Sequence, residues 1–195
     1  MQGSKIRLSP SELSLFCNAD IILTKNSILQ KTVSLLAGVQ EKLLAETTQF
    51  HPTSSPKISR GENYLGLPYV VLDYPRISTG ENLCFIRSMF WWGHFFSSTL
   101  QLAGSFKEEN ELKLTAAYPA LCTNGYYVGT DEDPWQHHFE ATNYLPVSSL
   151  SQEVFYQTLQ KQPHIKIAAK WPLSQWDSAA TLLWESWRFF ANLVA

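Results

Sequence analysis

The run DEDPWQHHFE, Asp131 to Glu140, gathers four carboxylates and two imidazoles within ten residues. If residues 136–142 form a strand, side chains alternate between its faces, and His138 and Glu140 point the same way. H-x-E joined by a distant histidine, His164, is the spacing of a two-histidine, one-carboxylate metal centre of the kind that holds iron. The same alternation puts His137 and His138 on opposite faces, which suits a plain edge strand equally well.

Arginine offers a second chemistry. Arg87 opens RSMFWWGHFFSS, in which five Phe and Trp rings and His94 follow one another closely. A guanidinium on an apolar strand is costly unless it is paired. Paired with Asp73, Glu62 or Glu81, Arg87 is structural and locks a loop onto the sheet. Set beside Arg60, with Trp91 or Trp92 as a wall, it forms a site for a carboxylate or phosphate. His94 is either a hydrogen-bonded core or rim residue or an acid–base group.

Motifs for covalent catalysis are missing. There is no G-x-S-x-G, H-E-x-x-H, P-loop or G-x-G-x-x-G, and no cofactor is expected. Ser54 and Lys57 match S-x-x-K by chance, in a proline-containing loop without the partner motifs. Cys84, next to Phe85 in a strand, reads as an inert core thiol.

Composition narrows the class. The chain has 195 residues, 16% charged and 13% aromatic, with a net charge of −2. That balance gives no basic footprint for nucleic acid. Three cysteines without CxxC spacing argue against a disulfide framework or a zinc ribbon. No apolar stretch is long enough to span a bilayer, and the N-terminus lacks the apolar segment of a signal peptide. The expectation is a soluble, cytoplasmic protein of bacterial character, without a nucleic-acid or membrane partner.

The elements that must position these groups follow from periodicity. Residues 1–48 read as a helical N-terminal arm. Ser9, Pro10 and Glu12 make a capping box for a short helix. A longer helix follows, with Ile21-Ile22, Ile28-Leu29 and Leu35-Leu36 repeating every seven residues and Val33, Val39 and Leu43 completing the stripe. The Pro- and Ser-rich stretch from Thr47 to Asn63 reads as a loop. Residues 64–145 form the central sheet region. Leu67 to Tyr74 is a strand ending before Pro75. Residues 83–104 are two strands meeting at Gly93, as a hairpin or a bend, with Leu83, Phe85, Arg87, Met89 and Trp91 on one face. Asn124 to Val147 reads as a strand, an acidic turn and a second strand.

Residues 149–195 read as helix, strand and helix. Ser149 and Gln152 cap a helix over 150–161, and His164 to Trp171 is a strand. The last helix carries Trp176, Ala180, Leu183, Trp187, Phe190 and Val194 on its stripe. Trp184 and Phe189 widen that surface, so the helix is buried on two sides or meets a second copy in a homodimer. The whole reads as one α+β domain with N-terminal helices, a mainly antiparallel central sheet and a long Trp-rich C-terminal helix. The expected function is a binding or interaction domain, with a pocket for a small anionic ligand made by Arg60, Arg87, Trp91, Trp92 and His94 on an aromatic sheet face. The alternative is an enzyme, metal-dependent or not, using His94, or His138 with Glu140.

Overall fold

The computed structural model describes residues 6–46 and 55–194. Residues 47–54, including Ser54 of the S-x-x-K match, lie outside them. Ser9 caps α1 (Pro10–Phe16) through the expected box, its Oγ accepting from the Glu12 amide at 3.2 Å while Glu12 accepts from the Ser9 amide at 2.6 Å. In α2 (Ala19–Glu46) the buried residues are Leu29, Thr32, Leu36, Val39 and Leu43, alternating steps of three and four. That is one face of a helix lying on a core. The stripe starts at Leu29: Ile21 and Ile22, expected on it, are exposed.

Seven strands follow, all pairing antiparallel, in the order β1-β2-β3-β4-β7-β5-β6. The first correction is β1 (Lys57–Tyr64), which occupies most of the described part of the expected loop, residues 55–63. It is an edge strand with one neighbour, so it needs little apolar patterning and shows little. β2 (Leu67–Thr79) runs through Pro75 instead of stopping at Tyr74. The register against β3 slips between Asp73 and Arg76, and this irregularity accommodates a residue with no N–H to give the ladder. β3 (Asn82–Trp91) and β4 (Phe95–Ala103) form the hairpin, closed where Gly93 takes φ 73°.

The stretch after Gly104 is helical, as α3 (Ser105–Ala116) and α4 (Tyr118–Thr123). β5 (Tyr127–Gly129) and β6 (Tyr144–Pro146) are short strands flanking an irregular segment, so residues 136–142 are not a strand. α5 (Gln152–Lys161) is capped by Ser151 rather than Ser149. β7 (His164–Pro172) leads to α6 (Trp176–Val194).

The sheet is covered on both faces, by different means. Alternation sends Val70, Leu72, Ile86, Leu100, Ile165 and Ile167 to one face, where they join the buried sides of the helices in the main core. The width of the α6 apolar surface is accounted for inside the chain. Leu183, Trp187 and Phe190 are buried, Trp187 lies parallel to Tyr74 at 5.9 Å and donates to its carbonyl, and Phe189 stacks on Tyr126 at 5.0 Å. The opposite face carries Val71, Met89, Trp91 and Phe95, a smaller apolar cluster with Phe139 against it. The segment Thr130–Asn143, between β5 and β6, lies over this second face.

Phe96 is fully buried in the main core, whereas Leu112 on α3 is 74% exposed. Urea denaturation is expected to place Phe96→Ala about 3–5 kcal/mol below the parent and Leu112→Ala within about 0.5 kcal/mol of it.

Candidate functional site

The second face is organised in rows of directly opposed residues. Asp73, Arg87, Thr99 and Ala168 make one row across β2, β3, β4 and β7. On one side of it come Phe85, Gln101 and Lys166, and beyond them Leu83, Ala103 and His164. On the other side come Val71, Met89, Ser97 and Lys170, then Tyr69, Trp91, Phe95 and Pro172. The face therefore grades from polar to aromatic along its strands.

The middle row meets the need of Arg87 for a partner. Its Nε and Nη2 donate to the two Asp73 oxygens at 2.7 and 2.9 Å, a bidentate pair between neighbouring strands. Nη1 lies 2.9 Å from His137 Nε2. Arginine has no acceptor, so that imidazole nitrogen accepts and the proton sits on Nδ1. Burial first, and then the charges of Arg87, Lys166 and His138, hold His137 well below its usual 6.5.

The covering segment is held mostly through its main chain. The amides of His137 and His138 both donate to the Tyr64 hydroxyl, at 2.7 and 3.1 Å. Lys166 Nζ donates to the Gln136 carbonyl at 2.5 Å and to Asn143 Oδ1 at 3.3 Å, and sits 4.8 Å from the centre of the Tyr144 ring. Lys166 is 1% exposed, and none of the ion pairs among the described residues involves it. Its burial brings the ammonium down to about 8, partly offset by Asp131 and Asp133. Asn143 Nδ2 donates to the His138 carbonyl, which closes the loop on itself.

At the aromatic end, Phe139 reaches from this segment to the sheet. It meets Phe95 and Tyr127 edge-on at 5.0 and 5.1 Å and stacks on Tyr144 at 4.5 Å. Beside it opens a cleft of about 540 Å³, lined by Leu65, Trp91, His94, Phe95, His138, Phe139, Glu140 and Lys170. The His94 ring lies flat on Trp91, 3.6 Å between centres and 10° from parallel. Lys170 Nζ stands 4.9 Å from the Phe139 ring centre and 5.3 Å from that of Tyr127. A second hollow, of about 630 Å³, lies at the polar end among Glu81, Glu108, Glu111, Glu132, Lys107 and His164. It lacks aromatic walls, and its lysine is tied to the carbonyls of Gln160 and Gln162.

The sequence-derived sites are rearranged accordingly. Arg60 pairs with Val70 and so falls on the helix-bearing face, exposed, opposite to Arg87. The joint Arg60–Arg87 anion pocket does not form, because the two arginines have opposite parity in the ladder. Trp91 and Trp92 divide in the same way, Trp92 packing against the main core. His138 and Glu140 share the aromatic cleft, but His164 lies at the far end of β7, six residues from Lys170 and so about 20 Å away along the strand. No group of three His, Cys, Asp or Glu among the described residues is placed to hold a metal. Sequence reasoning gave no site role to Tyr64, His137, Lys166, Lys170 or Phe139. Two of these had a signal: in HIKIAAKW, alternation sets His164, Lys166 and Lys170 on one face.

Removing one member of the Asp73–Arg87 pair strands a buried charge. Asp73→Leu is expected to lower the urea-derived stability by about 3–5 kcal/mol, and Asp73→Leu with Arg87→Met to recover much of that loss. Acid acts through the imidazoles. His137 and His164 are both lowered from 6.5, His164 again by burial first, so below that pH the unfolded chain binds protons that the folded chain does not. Stability is expected to be full above about pH 6.5 and to fall towards pH 5, with a shallower fall in His137→Gln. Comparison of the chain with protein-family models, with curated proteins and with solved structures finds no match.

Proposed function

We propose that the chain is a small-molecule-binding domain whose ligand is a flat molecule with an anionic group, seated in the aromatic cleft. The observation that carries this reading is an aromatic wall in which His94 lies flat on Trp91, Phe95 packs edge-on against both and Phe139 packs on Phe95, lining a cleft that also presents Lys170. Apolar walls with a few convergent polar groups, in a volume of several hundred Å³, are what small ligands use. Lys170 is exposed and is in none of the ion pairs among the described residues, so its ammonium is available to a carboxylate. Glu140 on the same rim is an acceptor for a donor group on the ligand.

The same cleft collects His94, His138 and Glu140, which supports an acid–base enzyme as the second reading. Against it, no ion pair among the described residues joins either imidazole to a carboxylate that would fix its tautomer. The walls also carry no Ser, Thr or Cys side chain.

The test uses indole-3-carboxylate and indole-3-methanol as probes, read by tryptophan fluorescence and thermal shift. The carboxylate is expected to bind and raise the melting temperature, and the alcohol to bind more weakly. Lys170→Ala, at an exposed position, is expected to weaken carboxylate binding about tenfold or more. His94→Ala is expected to weaken both probes. Equal binding of the two probes, unaffected by Lys170→Ala, or no binding of either, would reject the anionic-ligand reading. Conversion of a probe that is lost in His94→Ala would favour the enzyme.

A further inference from the structure

The N-terminal arm presents an apolar surface that the other described residues leave uncovered. α1 is ordered by its capping box yet buries none of its side chains. A helix of seven residues is not stable in water on its own account. On α1, Leu13, Leu15 and Phe16 are 52%, 60% and 79% exposed, and Leu8 before it is 54% exposed. On the first turns of α2, Ile21, Ile22 and Leu23 are 41%, 55% and 62% exposed. Three successive apolar residues sweep most of a helix circumference, as in helices buried on all sides. The ion pair Lys25–Glu62, at 2.7 Å, ties α2 to β1, and the buried stripe begins only beyond it, at Leu29.

We infer that this arm, Leu8 to Leu23, is a dimerisation element that packs on the same arm of a second copy about a two-fold axis. Area supports the assignment. These seven side chains, at on the order of 100 Å² each, expose about 700 Å², close to the roughly 800 Å² that one partner contributes to a standard interface. Charge supports it too. Between Leu8 and Leu23 the only charges are Glu12 and Asp20, and Arg7, just before the stretch, offers each copy a cation for the carboxylates of the other across a two-fold axis. A helix that lies on a membrane surface carries a basic polar face instead. Among the described residues the arm gathers more exposed large apolar side chains than any other segment. Cys17, exposed at the α1–α2 junction, sits in the patch and is covered when two arms meet.

The experiment is sedimentation velocity on the full chain and on Leu15→Glu/Ile22→Glu, with the rate of Cys17 modification by a thiol reagent as a second readout. Both substituted side chains are more than half exposed in the protomer, so the fold, followed by near-ultraviolet circular dichroism, is expected to persist. The parent is expected to sediment at twice 22.2 kDa and the variant at 22.2 kDa, with Cys17 modified at least several-fold faster in the variant. A parent that stays at 22.2 kDa at its highest soluble concentration overturns the inference. So does a variant that remains dimeric, because the contact then lies elsewhere. Leu15→Gln/Ile22→Gln, which adds no charge, is expected to weaken the dimer in the same direction and separates lost burial from charge repulsion.

Discussion

A guanidinium placed in the middle of a covered sheet must be satisfied where it stands, and much of the second face follows from that. Arg87 lies between Phe85 and Met89 on its strand face, with most of its side chain out of water and therefore in need of a partner. Asp73 on the next strand supplies both oxygens, which fixes the register of β2 against β3 at that row. The remaining nitrogen selects the tautomer of His137 and so binds the covering segment to the sheet. The charge thereby stabilises one path of a chain segment that has no regular structure of its own.

The two faces of the sheet solve the problem of burial differently. On one, helices bring apolar stripes and the contacts are almost wholly side chain to side chain. On the other, an irregular segment brings unpaired peptide groups, which cannot be buried without donors and acceptors. Tyr64, Lys166 and Asn143 supply them. This explains why Lys166, costly to bury, stands beneath a loop and not beneath a helix. Where the segment ends in Phe139 the demand turns apolar again, and the face opens into the cleft.

Much of the fold was legible in the local sequence, and the failures share a cause. The alternation of β3 and β4 could be read directly, because a strand covered on both sides carries its parity in its own residues, and Arg87 with Asp73 was among the pairings it allowed. The cap of α1 and the buried side of α6 were legible for the same local reason. β1 was not, since an edge strand is defined by its neighbour, and the parity of Arg60 relative to Arg87 depends on a register between strands. Residues 136–142 were misread because two histidines and a phenylalanine imitate a strand, while their real path is set by Tyr64 and Lys166, far off in sequence. The cleft draws on the turn after β3, the end of β7 and the covering segment, so no single stretch announces it.

The covering segment is anchored by its peptide groups, at the amides of His137 and His138 and the carbonyl of Gln136. With His137 and Phe139 as the side-chain anchors, a path otherwise fixed by main-chain atoms depends little on the side chains at 138 and 140. Positions 138 and 140 can therefore change in size or charge while the backbone stays in place. In a lineage of such chains the rim of the cleft is the part open to diversification: new ligand preferences can arise there by single substitutions without renegotiating the fold.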